Sequence, residues 1–445
     1  MPNLPQQLLN SLSQLEQFDE KAFVEAHQEE NKITSIRLNP FKKTELDFIL
    51  NNKVPWSQNG FYLNERPSFT LDPLFHAGCY YVQEPGSMFI EFALKQTVDF
   101  SVPVKILDAC AAPGGKSTLI NSLINDESLL VANEFIKSRA GILAENLGKW
   151  GTNNTIVTNN DTQKFSELTC FFDAILIDAP CSGSGLFRKQ PDAIEQWSED
   201  NVNACSVRQK KIIEDLIPSL KENGILIYGT CSYSVKENEA VVKWMQKEFA
   251  LEYVSLPIKK EWGIIETAGG YRFYPHLTKS EGFFCAVLRK IGSEQESIKN
   301  KKKSSLEVTA LEVAILRPFV ASSKNLIIKK NNLFHLLNPE AYCFLISNEK
   351  LFYFKKAGAV IGEIKGKDMV PNHELALNIA LSKDLQELEL EKEQAIRYLK
   401  KENFKHQSLL TGLVLVTYKN KGLGWAKVLP NRINNYFPNE LRILK

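Results

Sequence analysis

Two cysteines stand in turns of a kind that can hold a reactive thiol. Cys181 lies in Asp178-Ala-Pro-Cys181-Ser-Gly-Ser-Gly185, and Cys231 in Gly229-Thr230-Cys231-Ser232-Tyr233-Ser234. Each turn follows a short apolar run, 174–178 (AILID) or 224–229 (GILIYG), so both thiols are expected where a buried strand ends. A thiolate is a strong nucleophile, with an unperturbed pKa near ~8.5 that positive charge or a helix N-terminus lowers. Glu237, three residues after Ser234, completes a capping-box pattern, which predicts a helix over 236–249 with its N-terminus near Cys231. The other six cysteines, at 79, 110, 170, 205, 285 and 343, read mostly as buried small hydrophobes. No two of the eight are spaced Cys-x-x-Cys and no His pair joins them, so no metal site is expected. Eight cysteines in 445 residues also argue against a disulfide framework and for a reducing compartment.

A third turn has a different chemistry. The run 104–108 (VKILD) ends in Asp108-Ala-Cys-Ala-Ala-Pro-Gly-Gly-Lys116 and passes into a helical pattern over 116–125. Small residues here let backbone amides and a helix N-terminus come close to a ligand. A dinucleotide site needs Gly-x-Gly-x-x-Gly, and the loop has no such triplet. A P-loop needs glycine five residues before the Gly of Gly-Lys, and that position is Cys110. S-adenosylmethionine, which has no pyrophosphate, is the remaining common ligand for such a loop. Its ribose calls for an acid after the second strand, where Glu134 stands 19 residues beyond Gly115. Asp161, after the third strand, is placed for the adenine amino group. The expected cofactor set is therefore Cys110, Ala111, Ala112, Pro113, Gly114, Gly115, Lys116, Glu134 and Asp161. A tight structural turn with ordinary loop acids accounts for each piece alone, less well for the conjunction. A thiol beside a methyl donor suits cytosine, whose C5 is a poor nucleophile until something adds to C6.

The elements that must position these turns are legible as alternation. Apolar runs at 104–108, 129–132, 155–158, 174–178 and 224–229 read as buried strands, and 116–125, 136–149, 201–220 and 236–249 as helices. That alternation predicts an α/β fold with a doubly wound parallel sheet, its ligands bound beyond the C-terminal strand ends. The run 283–290 (FFCAVLRK) is expected as a late edge strand. A polar stretch over 291–305, with Lys301, Lys302 and Lys303, reads as a linker. Beyond it, 306–390 reads as a small α+β unit, and strands at 413–418 and 423–428 mark a β-rich module over 391–445.

Composition narrows the partners. Fifty-four basic and 52 acidic residues give a net charge of +2, which selects nothing. From 394 to 445, however, ten Lys or Arg face two Asp or Glu, a net of +8 against −6 for the rest. A basic module on a mildly acidic body points to a polyanion such as nucleic acid. No run of 18 apolar residues and no signal peptide is visible, so a cytoplasmic protein with no membrane partner is expected. No feature calls for an obligate protein partner.

Asp108–Lys116, Asp178–Gly185 and Thr230–Ser232, in that order, resemble the motifs of the Sun-type RNA 5-methylcytosine methyltransferases. The resemblance extends to Tyr81-Val-Gln-Glu-Pro-Gly-Ser-Met88 upstream and to Arg272-Phe-Tyr-Pro-His276 and Glu281-Gly-Phe-Phe284 downstream. Gly422-Leu-Gly-Trp-Ala-Lys427 and Asn435-Tyr-Phe-Pro-Asn-Glu-Leu-Arg442 are similar to the terminal PUA-like RNA-binding domain of the bacterial small-subunit methyltransferase F branch. The resemblance implies a Rossmann-like S-adenosylmethionine-dependent core over 76–290, an RNA-binding accessory region over 1–75 and a PUA-like domain over 391–445. It implies that Cys231 attacks C6, that Cys181 assists release of the covalent adduct, and that Asp178 binds the base near N3 and lines the cofactor pocket. Arg139 is a further candidate at that pocket, and Glu134 departs from the commoner Asp. The RNA must offer an unpaired or flipped cytosine. Arg188, Lys189 and Arg208 near the mouth, and Arg37 and Asn39 in the accessory region, are candidate RNA contacts. Trp425, Tyr436 and Phe437 are candidate stacking residues, at least one of them expected in the core. Ribosomal RNA of the small subunit is the favoured substrate. Transfer RNA, a noncatalytic assembly factor and an amino-group methyltransferase are the alternatives, the last disfavoured because its usual Asn/Asp-Pro-Pro-aromatic turn is absent.

Overall fold

Five apolar runs form parallel strands and set the frame of the molecule. The computed structural model describes residues 4–15, 17–28, 33–292, 308–321, 324–404 and 409–444. The runs become β1 (Lys105–Asp108), β2 (Leu129–Asn133), β3 (Thr155–Thr158), β4 (Phe172–Asp178) and β5 (Leu220–Thr230). After them come β6 (Leu251–Tyr253), β7 (Ile265–Thr267), β8 (Gly270–Phe273), β9 (Phe283–Lys290) and β10 (Phe354–Ala357). The order across the sheet is β7-β8-β9-β5-β4-β1-β2-β3-β10, and β6 also pairs with β9. Helices α1 (Gly115–Asn121), α2 (Lys137–Trp150), α3 (Glu199–Leu216) and α4 (Glu239–Glu248) accompany the parallel strands. Ile106, Leu130, Leu176 and Ile227 pack on one face, and Leu107, Val131, Ile175 and Leu226 on the other. Both faces are covered, which is why these runs lack polar alternation. This is a Rossmann-like core.

Strand order reverses between β1 and β4. The chain leaves β1 outward through β2 and β3, then returns to lay β4 and β5 on the other side. A crevice opens beyond the C-terminal ends of β1 and β4, the usual ligand site of such sheets. In the parallel register Asp178 of β4 lies opposite Gly229 of β5. The turns that carry Cys181 and Cys231 therefore leave the sheet at the same level.

The run 283–290 is not an edge. It lies between β5 and β8 and is also paired by β6, all antiparallel. Residues Phe283 to Leu288 are buried without interruption, which an edge strand with one solvated face does not show. The missed neighbours are β6 and β8, strands of three and four residues, too short for periodicity to reveal.

Three further four-stranded sheets accompany this core, one of them formed by Leu326–Lys330, Leu333–Leu337, Ala359–Lys365 and Asp368–Pro371 in that order. Near the N-terminus, Asn52–Lys53, Gly60–Leu63, Thr34–Leu38 and Tyr80–Val82 form a four-stranded sheet in that order. Its Ile36, Phe61 and Tyr80 share one apolar cluster with Val414, Val416 and Leu423 of the last sheet. That last sheet joins Glu387–Glu389, Gly412–Tyr418, Lys421–Leu429 and Arg432–Asn435. Strand β10 comes from the chain beyond residue 308 yet extends the central sheet, with Phe354 opposite Thr158. Of the linker expected over 291–305, only 291 and 292 lie within the described residues. Among the described residues no helix is long and apolar enough to cross a membrane, and no cluster suits a metal ion.

Candidate active site

A cleft of about 1270 Å³ occupies the crevice. The β1–α1 loop forms one wall: Cys110, Ala111, Ala112, Pro113, Gly115 and Lys116 all line it. Gly114 does not. It caps α1 with a φ of 113°, a left-handed value that favours glycine, and its Cα faces Leu143 and Asn146 of α2. At Gly115 a Cβ would come 3.2 Å from the Tyr81 ring, so the loop packs closely against Tyr81 there.

The acids divide into distinct roles. Asp108 is fully buried; its Oδ2 accepts from the Ser117 hydroxyl at 2.6 Å, and its Oδ1 has no partner among the described residues. Burial pushes its carboxyl up to about 7 although the Ser117 hydroxyl opposes this. Glu134 is buried, accepts from the Ile136 amide at 2.8 Å and has Arg139 at 3.8 Å. Arg139 in turn donates to the Ala112 carbonyl at 2.8 Å and so braces the loop. Asp161 accepts from the Gln163 amide at 2.9 Å, capping the short helix Thr162–Glu167. All three acids line the cleft.

Lys116 crosses the cleft floor to Asp178, Nζ to Oδ2 at 2.7 Å, and lies 5.3 Å from the centre of the Phe283 ring. Burial works against the ammonium charge, but Asp178 outweighs it and holds Lys116 above the usual lysine range. Cys181 and Cys231 are free thiols whose sulfurs lie 2.7 Å apart, and both line the same cleft. Hydrogen bonding to Cys231, with burial, holds the Cys181 thiol well above the ordinary thiol range. Cys110 is likewise pushed up by burial, which leaves it an apolar wall residue.

Several expected contacts prove structural. Arg37 is buried and donates to Gln83 Oε1 at 2.8 Å, Thr118 Oγ1 at 2.6 Å, and the Gly115 carbonyl and Ser122 Oγ, each at 3.2 Å. Asn39 is buried too and donates to the Gly78 and Trp150 carbonyls. Both side chains bond inside the protein and are closed off from its surface. The Arg188 side chain is 7% exposed and turned toward Glu281, 3.9 Å away, so it is no surface phosphate contact. Lys189 and Arg208 are exposed, and Arg208 lines the cleft together with Lys211. In the C-terminal sheet Trp425 and Phe437 are buried, while Tyr436 is 44% exposed.

The capping box at Ser234 is also corrected. Helix α4 begins at Glu239 after Asn238, and the Glu237 side chain turns inward to Ser182 and Ser232. Asp108 and Glu237 are the functional candidates that motif spacing alone did not single out. The signal for Asp108 was available: it is the only acid of the first strand end.

Comparison with known proteins bears on this geometry. Three family models match along the chain: the N-terminal domain of 16S rRNA methyltransferase RsmF over 4–85, 16S rRNA methyltransferase RsmB/F over 97–289, and the methyltransferase RsmF PUA domain over 385–443. Ribosomal RNA small subunit methyltransferase F of Vibrio atlanticus is 32% identical over 438 residues, covering 92% of this chain and 90% of that one. Its Salmonella arizonae counterpart is 31% identical over 441 residues, with the same coverage of 92% and 90%. Among solved structures, a methyltransferase homolog protein from Pyrococcus horikoshii is 28% identical with a TM-score of 0.53, covering 65% of this chain and 100% of that one. NSun6 from the same organism, solved with SFG, shares the fold at 21% identity and a TM-score of 0.54, covering 66% and 99%.

Proposed function

The chain belongs to the ribosomal RNA small subunit methyltransferase F family, and from that membership we propose that it transfers a methyl group from S-adenosylmethionine to C5 of a cytosine in small-subunit ribosomal RNA. The observation that carries the reading is the pair of thiols 2.7 Å apart at neighbouring strand ends, facing the cofactor loop across one cleft.

The cleft suits the cofactor. The partnerless Oδ1 of Asp108 offers an acceptor to the ammonium of its amino-acid end. Glu134 and Asp161 line the same cleft and are the acids for ribose and adenine, while Cys110, Ala111, Ala112, Pro113, Gly115 and Lys116 line it from the loop that Gly114 turns. When bound, S-adenosylmethionine supplies the electrophilic methyl group.

The protein's own residues do the rest. Cys231 as thiolate adds to C6, its electron pair forming the C–S bond, and the displaced C5=C6 pair makes C5 nucleophilic. Asp178, steadied by Lys116 at 2.7 Å, meets the N3 side of the base, and a proton passed from the Lys116 ammonium through Asp178 to N3 relieves the charge that addition creates, returning by the same route on release. Release takes the C5 proton to a base in the cleft; its electron pair reforms C5=C6 as the C6–S pair returns to Cys231. Cys181, in contact with Cys231, assists this second stage. The target base enters unpaired or flipped, with Arg208 and Lys189 on the adjoining strand and the basic C-terminal module, through Tyr436, holding flanking RNA. The chemistry needs both thiols reduced, which suits a cytoplasmic setting.

The test uses methyl-labelled S-adenosylmethionine with small-subunit ribosomal RNA and with small subunits from cells lacking this protein. Label in 5-methylcytidine is the expected result, and label in any other nucleoside overturns the thiol chemistry.

A further inference from the structure

Behind the two thiols lies a carboxylate that the chemistry above leaves unused. Glu237 is fully buried and its oxygens accept four hydrogen bonds. Oε1 takes the Ser182 amide at 2.8 Å and Gln209 Nε2 at 3.2 Å, and Oε2 takes the Ser182 and Ser232 hydroxyls, each at 2.6 Å. Ser182 follows Cys181 and Ser232 follows Cys231. One side chain therefore grips the residue next to each thiol.

The grip is anchored from behind. The Glu237 carbonyl accepts from the Tyr228 hydroxyl at 2.6 Å. Asn238 accepts from Thr230 Oγ1 at 2.6 Å and donates to the Ser232 carbonyl at 2.7 Å. Gln209, on α3, also donates to the Pro180 carbonyl at 3.0 Å, which ties the first cysteine's turn to the same point. Stability alone gives little reason for this choice, because apolar side chains of similar volume fill such a space without desolvating a carboxylate. The carboxylate does one thing that an apolar side chain does not: it fixes two separate turns to one another through directed bonds.

We propose that Glu237 is a positioning residue that clamps the Cys181 and Cys231 turns together, so that both sulfurs serve one cytosine in sequence. The clamp rests on the thiol mechanism proposed above and specifies where it is sensitive. Addition to C6 needs Cys231 alone, whereas release needs the second thiol held beside it. Loosening the clamp slows release more than addition.

The experiment compares wild type, Glu237→Ala, Glu237→Gln and Ser182→Ala with small-subunit ribosomal RNA and methyl-labelled S-adenosylmethionine. It reads 5-methylcytidine formed, the denaturant-resistant protein–RNA fraction at steady state, the cofactor dissociation constant and the melting temperature. For Glu237→Ala, turnover falls about 10- to 100-fold, the scale of ångström misplacement, while the covalent fraction rises above wild type and cofactor affinity stays within about threefold. Glu237→Gln restores turnover to within about threefold of wild type, because its amide can donate to the serine hydroxyls that the carboxylate accepted from. Ser182→Ala removes one strut and raises the ratio of covalent fraction to turnover, and it decides the matter if Glu237→Ala does not fold. An unchanged ratio in Ser182→Ala, or a Glu237→Ala protein whose adduct, turnover and cofactor binding fall in parallel, overturns the clamp. Wild-type enzyme that labels no cytosine refutes instead the methyltransfer reading on which the clamp stands.

Discussion

Arg37 of the N-terminal sheet donates to the carbonyl oxygen of Gly115 at 3.2 Å, and so holds the first turn of the helix that follows the cofactor loop. The same guanidinium reaches Thr118 and Ser122 on that helix and lies 4.6 Å from the centre of the Trp150 ring. An N-terminal region that reads as an RNA contact thereby becomes part of the cofactor site's scaffold.

Replacing Arg37 by alanine leaves several buried acceptors without a donor, which should cost about 3 kcal/mol of stability. Cofactor affinity, measured by calorimetry, should weaken by about tenfold as α1 loosens. Lysine should not rescue it, because a single ammonium cannot span these directions as the planar fork does. A role in phosphate binding predicts a different result: unchanged stability, with the salt dependence of RNA binding reduced by about one charge.

Asp108 makes the site pH-dependent in a calculable direction. Its carboxyl titrates at about 7 in the folded protein, chiefly because it is buried, and near 3.8 otherwise. Between those values the native state holds a proton that the unfolded chain has released. Its contribution to stability is therefore fully present below about 4 and is lost as the pH rises toward 7. Asp108→Asn, neutral throughout, should flatten that part of the melting-temperature profile. An ammonium at the partnerless oxygen favours the carboxylate, so cofactor binding near pH 7 should expel a proton and tighten as the pH rises through that value. Binding heats that do not vary with the ionisation enthalpy of the buffer would contradict this.

What the sequence revealed, and what it concealed, follows from where each residue's partners lie. The strands β1 to β4 came through because their apolar runs end at acids or turn residues, at Asp108, Asn133, Thr158 and Asp178. The two cysteine turns were equally plain, since their contact follows from the register of adjacent parallel strands. Arg37, Asn39 and Arg188 read as candidate RNA contacts because the groups that bury them lie far along the chain, Gly115 being 78 residues from Arg37. Glu237 looked like a cap because its spacing from Ser234 is right. Its true partners, Ser182 and Gln209, come from other turns and another helix. Local spacing reports helix ends well only when no tertiary partner competes for the side chain.

The aromatic residues of the C-terminal sheet should separate cleanly. Tyr436 is exposed on the basic C-terminal module, so Tyr436→Ala should weaken RNA binding by about 1–3 kcal/mol, the worth of one stacked base, with little change in melting temperature. Trp425 is buried, donates to the Asn372 carbonyl at 2.9 Å and lies against Phe319. Trp425→Ala should instead cost about 3–5 kcal/mol of stability. Filter binding and thermal melts on both variants distinguish the roles; equal losses of RNA affinity at unchanged stability would contradict the assignment.

The two thiols carry the central claim, and one measurement reaches it directly. Cys231→Ala should abolish methyl transfer while cofactor binding stays nearly intact, whereas Cys181→Ala should retain addition and accumulate the covalent complex. Nuclease and protease digestion of the complex formed by Cys181→Ala, followed by mass spectrometry, identifies the residue joined to RNA. The account predicts a cytidine-derived nucleotide on Cys231. A nucleotide on any other residue, or full activity in Cys231→Ala, would contradict it.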